Sequence, residues 1–477
     1  MGRGRGSWPF VSQLEQIHGR GFTGHRSVQR HLGRLIVADQ QTSEAVVFVA
    51  NDLLHRDSGC HRTLMISVSV RTTITLRGQS RVKSSDSCSY SMSEDFTLDV
   101  DSIRSEFPVT KKYAYFDHAA VGPLPARAVE AAKRVMGEKC DGDLHWGSWE
   151  ETVEATRNSI AALIGAKAEE VALVHSTSEG VAIIANGLSY EKGDNIVTCD
   201  LEFMSNLFPW QALARRHRLE LRTVRNCDGK LSMQDFSDAI DERTRIVAVS
   251  YVQYSNGFKI NLEELSKITH ENGAYLLTDA VQAVGQMPVD VAKLKVDFLA
   301  TSGYKWLLSP ISTGFLYVRS QLLDVVWPTI VGYRSDEKPF EFGFREFQPA
   351  ATARRYEDGQ LNFPGFAGMK ESIALLQEVG IEAICKSVLV LTDRLISGVE
   401  QNKSIEIRSC LDDDVRSGIV NFGCKDPESL AERLLQRGFV ISVREGGLRI
   451  SPHFYNTEQE IDRLISELSA TEVLRST

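Results

Sequence analysis

The chain has 477 residues, of which 42% are apolar and 25% charged, and its formal net charge is −9. That length exceeds what one compact core usually holds, so a large domain with a smaller companion is expected, and no apolar run approaches the roughly 20 residues that cross a bilayer. The acid excess gives no general attraction to nucleic acid or anionic membrane, and eight scattered cysteines without a CxxC pair or zinc-spaced histidines argue for reduced thiols in a cytoplasmic protein.

Residues 1–91 differ from the rest, with 12 Lys and Arg against 6 Asp and Glu. This basic stretch shows no sustained periodicity. It reads as a disordered or non-native extension, with organelle targeting or a functional basic arm as the alternatives. Met92 and the amphipathic segment after it resemble an ordinary start.

From about residue 115, short apolar runs alternate with amphipathic helices. Strands are expected over 171–174, 195–198, 245–250, 275–278, 298–301 and 314–318, and helices over 126–138, 262–272 and 320–326. Such alternation implies an α/β fold with a mostly parallel sheet covered on both faces, whose ligands gather at the carboxyl ends of its strands. From residue 366 the pattern changes to two helices, short strands near 418–422 and 440–443, and a closing helix over 458–470. The expected division is a large domain over 92–365 and a small α+β domain over 366–477.

Several segments carry chemistry. His175-Ser-Thr-Ser-Glu-Gly180 places Thr177 and Ser178, two hydroxyls, at a predicted helix N-terminus, an arrangement suited to a phosphate. Asp279 ends the strand Tyr275-Leu-Leu-Thr-Asp279, with Gln282 three residues on. A buried carboxylate there would keep a pyridine nitrogen protonated, whereas the plain alternative is a helix N-cap. Lys305 lies in Ala300-Thr-Ser-Gly-Tyr-Lys-Trp-Leu-Leu-Ser-Pro310, where apolar neighbours disfavour its charged form and free a neutral amine; an isolated lysine is otherwise a surface charge.

Together with Tyr115-Phe-Asp-His-Ala-Ala-Val-Gly-Pro-Leu-Pro125, Glu202-Phe-Met-Ser-Asn-Leu-Phe-Pro-Trp210, Val249-Ser-Tyr-Val-Gln-Tyr-Ser-Asn-Gly257, Arg355-Tyr-Glu-Asp-Gly-Gln-Leu-Asn362 and Gly447-Leu-Arg-Ile-Ser-Pro-His-Phe-Tyr-Asn-Thr457, these segments stand in one order over residues 100–470. In that order the sequence resembles the class V aminotransferase family, which includes cysteine desulfurases, selenocysteine lyases, kynureninase and isopenicillin N epimerase. The resemblance implies a homodimeric enzyme of the fold type I class with a seven-stranded sheet, carrying pyridoxal 5'-phosphate (PLP) as a Schiff base on Lys305 and acting on an amino acid.

The resemblance also assigns positions. Thr177, Ser178 and Ser302 would meet the phosphate, Phe203 would stack on the ring, and Asp279 would meet the ring nitrogen. Asn256 and Gln282 would lie near the phenolic oxygen. Tyr304 stands where the family often has His, and Gln360 replaces the Thr that reaches the neighbouring subunit's cofactor. Arg449 would take the substrate carboxylate, with His118 at the substrate side.

Two departures bear on the reaction. Phe203 occupies a position where cysteine desulfurases have His, and Phe cannot move protons. Between Arg444 and Arg449 stand only Glu-Gly-Gly-Leu, without the mobile cysteine that sulfur transfer requires. An aminotransferase or a C–S lyase related to the desulfurases is therefore expected. An epimerase, a kynureninase-like hydrolase and a non-catalytic PLP-binding relative are the alternatives.

Overall fold

A computed structural model of the protein describes residues 99–473; the expected N-terminal extension lies outside the described residues. Strand β1 (Ala114–Tyr115) is the first strand among the described residues. A seven-stranded sheet follows: β2 (Val171–Val174), β3 (Asn195–Cys199), β4 (Glu220–Val224), β5 (Thr244–Ser250), β6 (Tyr275–Asp279), β7 (Phe298–Ser302) and β8 (Gly314–Val318), in spatial order β2-β8-β7-β6-β5-β3-β4. All neighbours are parallel except that β8 runs antiparallel to both β2 and β7.

Side chains alternate across the pleat, so a strand buried on both faces feeds two cores. Val171 and Leu173 enter one apolar cluster while Ala172 and Val174 enter the other. The first cluster is closed by the helices Trp146–Ile164 and Phe363–Val379, the second by Thr177–Gly187 and Met204–His217. This is the expected α/β arrangement. The helix over 126–138 forms as read, but 320–326 shortens to a 3₁₀ turn, Ser320–Leu322. Pro328 disfavours helical geometry at Trp327, whose N–H instead donates to the Gly187 carbonyl.

A second, four-stranded antiparallel sheet, β12-β13-β10-β9, is built from β9 (Glu406–Ile407), β10 (Val420–Gly423), β12 (Ser442–Arg444) and β13 (Gly447–Ile450), while β11 (Phe439–Val440) pairs with β1. It has its own core, with Val420, Phe422, Leu448 and Ile450 packed on Leu391, Leu395, Ile461 and Leu464. The expected boundary at residues 365/366 falls inside the helix Phe363–Val379. That helix buries Phe366, Met369, Ile373 and Leu376 in the core of the large sheet, so the change of architecture comes after it.

Candidate active site

The carboxyl ends of the central strands converge. The register sets Asp279 on β6 beside Ser250 on β5 and Ala300 on β7, and the chain runs two residues past Ala300 to Ser302 and five to Lys305. The helix Thr177–Gly187 starts against this edge. Its N-cap is Ser176, whose hydroxyl accepts from the Glu179 N–H. Thr177 N–H donates to Ser302 Oγ at 2.8 Å, and the two hydroxyls lie 3.1 Å apart. Ser178 is exposed in the first turn of that helix. Thr177, Ser178 and Ser302 thus frame a helix N-terminus, which favours an anion through its unpaired N–H groups and dipole.

Lys305 is buried, and its Nζ lies 5.6 Å from the centre of the Phe203 ring and 5.9 Å from that of Tyr304. Burial brings its pKa down to about 8; Asp279 opposes this, while Arg449 and Arg444 reinforce it. The loop 115–125 presses directly on the lysine. Gly122 N–H donates to the Tyr304 carbonyl, and a Cβ on Gly122 would sit 2.0 Å from the Lys305 carbonyl oxygen, a space only glycine leaves open.

Asp279 is the counterpart. Burial raises its carboxyl to about 7, partly offset by the Val281 N–H that Oδ1 accepts at 2.9 Å, with the Glu202 carboxylate adding to the rise. Oδ2 is buried without a partner. A buried acceptor left open is unfavourable unless a ligand completes it, and a cationic ring N–H would do so. With the hydroxyl cradle and the buried amine, the donor set fits PLP.

Arg449 is buried under 2% exposed, held by the Tyr254 carbonyl at 2.9 Å, Ser442 Oγ at 3.1 Å and Asp117 at 3.2 Å. Its Nε is buried and unpartnered. Burial lowers its pKa to about 10, opposed by Asp117 and reinforced by Arg444. Such a guanidinium is prepared for a carboxylate.

Two expected contacts, His118 and Asn256, turn out to be engaged elsewhere. His118 is not at the substrate side: it is fully buried, Nδ1 meets the Ser451 carbonyl at 2.8 Å and Nε2 the Tyr455 hydroxyl at 2.6 Å, so both nitrogens are used in packing. Burial, with His453 nearby, holds it neutral by pushing its pKa well down. Asn256 is not free to reach a cofactor either, since Nδ2 donates to the Gly229 carbonyl and Oδ1 accepts from Phe258 N–H. Gln282 donates to the Ala119 carbonyl and accepts from Trp306 Nε1–H, tying the loop 115–125 to the residue after Lys305; its amide carries a second hydrogen beyond that bond. Gln360 is exposed on the loop before the helix Phe363–Val379 and does not join the site of its own chain among these contacts.

The residues not anticipated are those that hold others. Glu202 is buried and accepts from Ser250 N–H and Oγ–H, each at 2.6 Å, from Asn206 at 2.8 Å and from Gln253 at 3.2 Å, which fixes the turn that presents Phe203. Asp117 joins Ser442 and Arg449. Tyr254 sets its ring edge-on to Phe203, centres 5.1 Å apart, and donates its hydroxyl to Glu445 at 2.6 Å. Glu445 and Gly446 form the two-residue turn between β12 and β13, with φ of 50° and 67°, the positive pair a type I′ hairpin requires.

The family profile described as aminotransferase class V matches residues 114–464. The chain belongs to the class V aminotransferase family. Members are PLP-dependent enzymes, in line with the expected enzyme class and fold. A probable cysteine desulfurase of Methanothermobacter thermautotrophicus is 31% identical over 393 residues, covering 76% of this chain and 96% of the relative. One of Pyrococcus abyssi is 30% identical over 392 residues, covering 77% and 96%. Among solved structures, the cysteine desulfurase of Thermococcus onnurineus NA1 superposes with a TM-score of 0.72 at 27% identity, covering 79% of this chain and 98% of that one. These relatives favour the aminotransferase and C–S lyase reading over the epimerase, hydrolase and non-catalytic alternatives.

Proposed function

We propose that Lys305 holds PLP through Nζ and that the enzyme acts on an amino acid as an aminotransferase or a C–S lyase without a protein thiol relay. The observation that carries this reading is the open Asp279 Oδ2 at the strand edge that also bears the buried Lys305 amine. When bound, PLP supplies an electron sink for charge developing at the substrate Cα.

The chain's own residues do the rest. Asp279 would keep a proton on the ring nitrogen, Thr177, Ser178 and Ser302 would hold the phosphate, and Phe203 walls one side of the amine. Arg449 takes the substrate α-carboxylate, its orientation set by Asp117, Ser442 and the Tyr254 carbonyl. Lys305 Nζ would serve as the base for the substrate Cα proton, because a lysine with a lowered pKa is a competent base near neutrality. Phe203 adds no second proton carrier.

The rigid two-residue turn at Glu445-Gly446 argues against sulfur transfer to a protein thiol. Cys199, the cysteine hydrogen-bonded to Glu202, has its pKa driven well up by burial and is a poor nucleophile. We further propose a homodimer in which the exposed Gln360 loop faces the partner's site, a PLP domain ending after the helix Phe363–Val379 with a smaller C-terminal domain, and a cytoplasmic location. The test is a set of amino acids that includes L-cysteine. Keto acid with pyridoxamine phosphate indicates transamination, and sulfide with pyruvate indicates β-elimination. Alanine with a persulfide on the protein would overturn the thiol-free reading.

A further inference from the structure

The hairpin that carries Arg449 also carries a second guanidinium. In the β12–β13 register Ser442 faces Arg449 and Arg444 faces Gly447. Directly opposed residues of an antiparallel pair project to the same side, as do residues two apart on one strand. Ser442, Arg444 and Arg449 therefore share one face of the small sheet, with the two arginines as diagonal neighbours, a spacing of about 7 Å that long side chains bridge. Gly447 opposite Arg444 contributes no side chain to cover it, and the space a Cβ would need there is filled by the Asn421 amide oxygen, 2.1 Å away.

The donors divide between the two residues. A guanidinium has five N–H groups. Three of those on Arg449 go to the Tyr254 carbonyl, Asp117 and Ser442, which leaves Nε–H and one Nη1–H, each able to donate to a carboxylate. Arg444 is half-buried, and its guanidinium donates from Nη1 to the neighbouring Val443 carbonyl at 2.6 Å, while its own carbonyl accepts from Asn421 Nδ2. Among the described residues no carboxylate forms an ion pair with it. Asp117 serves Arg449 and Ser442, and Glu445 is engaged by the Tyr254 hydroxyl, 2.6 Å away. Asp117 is thus the acid paired with Arg449, and with the substrate carboxylate assigned to Arg449 the remaining donors of Arg444 are left for a second anionic group.

We propose that Arg444 is the specificity-determining residue of this site and that the substrate is an α-amino acid with a second carboxylate on its side chain, Arg449 binding the α-carboxylate and Arg444 the other. The inference rests on the reading of Lys305 and Arg449 given above. It also gives the short turn a use. Tyr254 and Arg408, which donates to the Glu445 carbonyl at 2.7 Å, hold the hairpin turn from both sides, so the backbone positions that bear the two arginines are set by it.

The test uses holoenzyme, with amino acid binding followed through the cofactor's visible absorbance. L-aspartate is titrated against L-asparagine, and L-glutamate against L-glutamine, pairs nearly equal in shape that differ in the side-chain charge. At least one acid should bind about 10-fold or more tightly than its amide, as expected for a charge-assisted contact. In Arg444→Gln that ratio should fall to near one, and Arg444→Lys should restore part of it. An equal ratio in wild type and Arg444→Gln, a wild-type preference for the amides, or failure of both acids to bind would overturn the proposal. If holoenzyme shows no cofactor absorbance, the underlying reading of the site fails first, and the proposal falls with it.

Discussion

The Phe203 ring and the Lys305 amine face one another, with Nζ 5.6 Å from the ring centre, and the turn that presents Phe203 is fixed by the buried Glu202. An aromatic wall in this place offers stacking and a weak attraction for a cation but no proton transfer. Phe203→Ala should weaken PLP retention by about 10-fold, measured as the dissociation constant of holoenzyme on dilution. Unchanged retention would remove Phe203 from the cofactor site.

The Lys305 pKa sets the pH at which the apoprotein takes up PLP. The neutral amine is the reactive form, so the rate of uptake should rise with pH and reach half its maximum near 8 instead of the ordinary 10.5. Asp279 raises that pKa through its charge, so Asp279→Asn should move the midpoint lower. A midpoint near 10.5 in stopped-flow absorbance would show that Lys305 is solvated.

Asp279 itself predicts a stability signature in apoprotein. Its folded pKa, about 7, exceeds the ordinary 3.8, so between these values the folded chain holds a proton that the unfolded chain has lost. The stabilisation is present below about pH 4 and is lost as pH rises through 7. The melting temperature of wild type relative to Asp279→Asn should therefore fall steadily from about pH 4 to about pH 7. A difference independent of pH would mean that Asp279 is not buried in this way.

Much of the site was legible because its parts are local. Asp279 ends a strand, Thr177 begins a helix, and the apolar neighbours of Lys305 adjoin it in sequence. His118 was not legible in this way, because the groups that consume its nitrogens, Ser451 and Tyr455, lie more than 330 positions away. Asn256 carried a signal that could have been used: Asn followed by Gly marks a turn, and Gly257 has φ of 75° with the Asn256 side chain bonded two residues ahead. The same limit hid Asp117 and Ser442, which meet Arg449 only when β12, β13 and the loop 115–125 come together. The boundary expected at 365/366 falls inside the helix Phe363–Val379, since a helix that packs on the large sheet has the same amphipathic pattern as one that begins a new domain.

The segment leading to Gln360 is anchored by a buried ion pair, Arg157 Nη1 to Glu357 Oε1 at 2.5 Å, with Glu357 also accepting from the Leu173 N–H. Removing one charge leaves the other buried and poorly compensated. Glu357→Gln should destabilise the protein by about 3 kcal/mol, read from urea unfolding of apoprotein. A change below about 0.5 kcal/mol would show that Glu154, the other acid on Arg157, suffices.

Borohydride reduction of holoenzyme followed by peptide mapping tests the central claim most directly. A single pyridoxyl adduct on Lys305, and loss of both the adduct and the visible absorbance in Lys305→Ala, is the predicted result. An adduct on another lysine, or one that persists in Lys305→Ala, would contradict it.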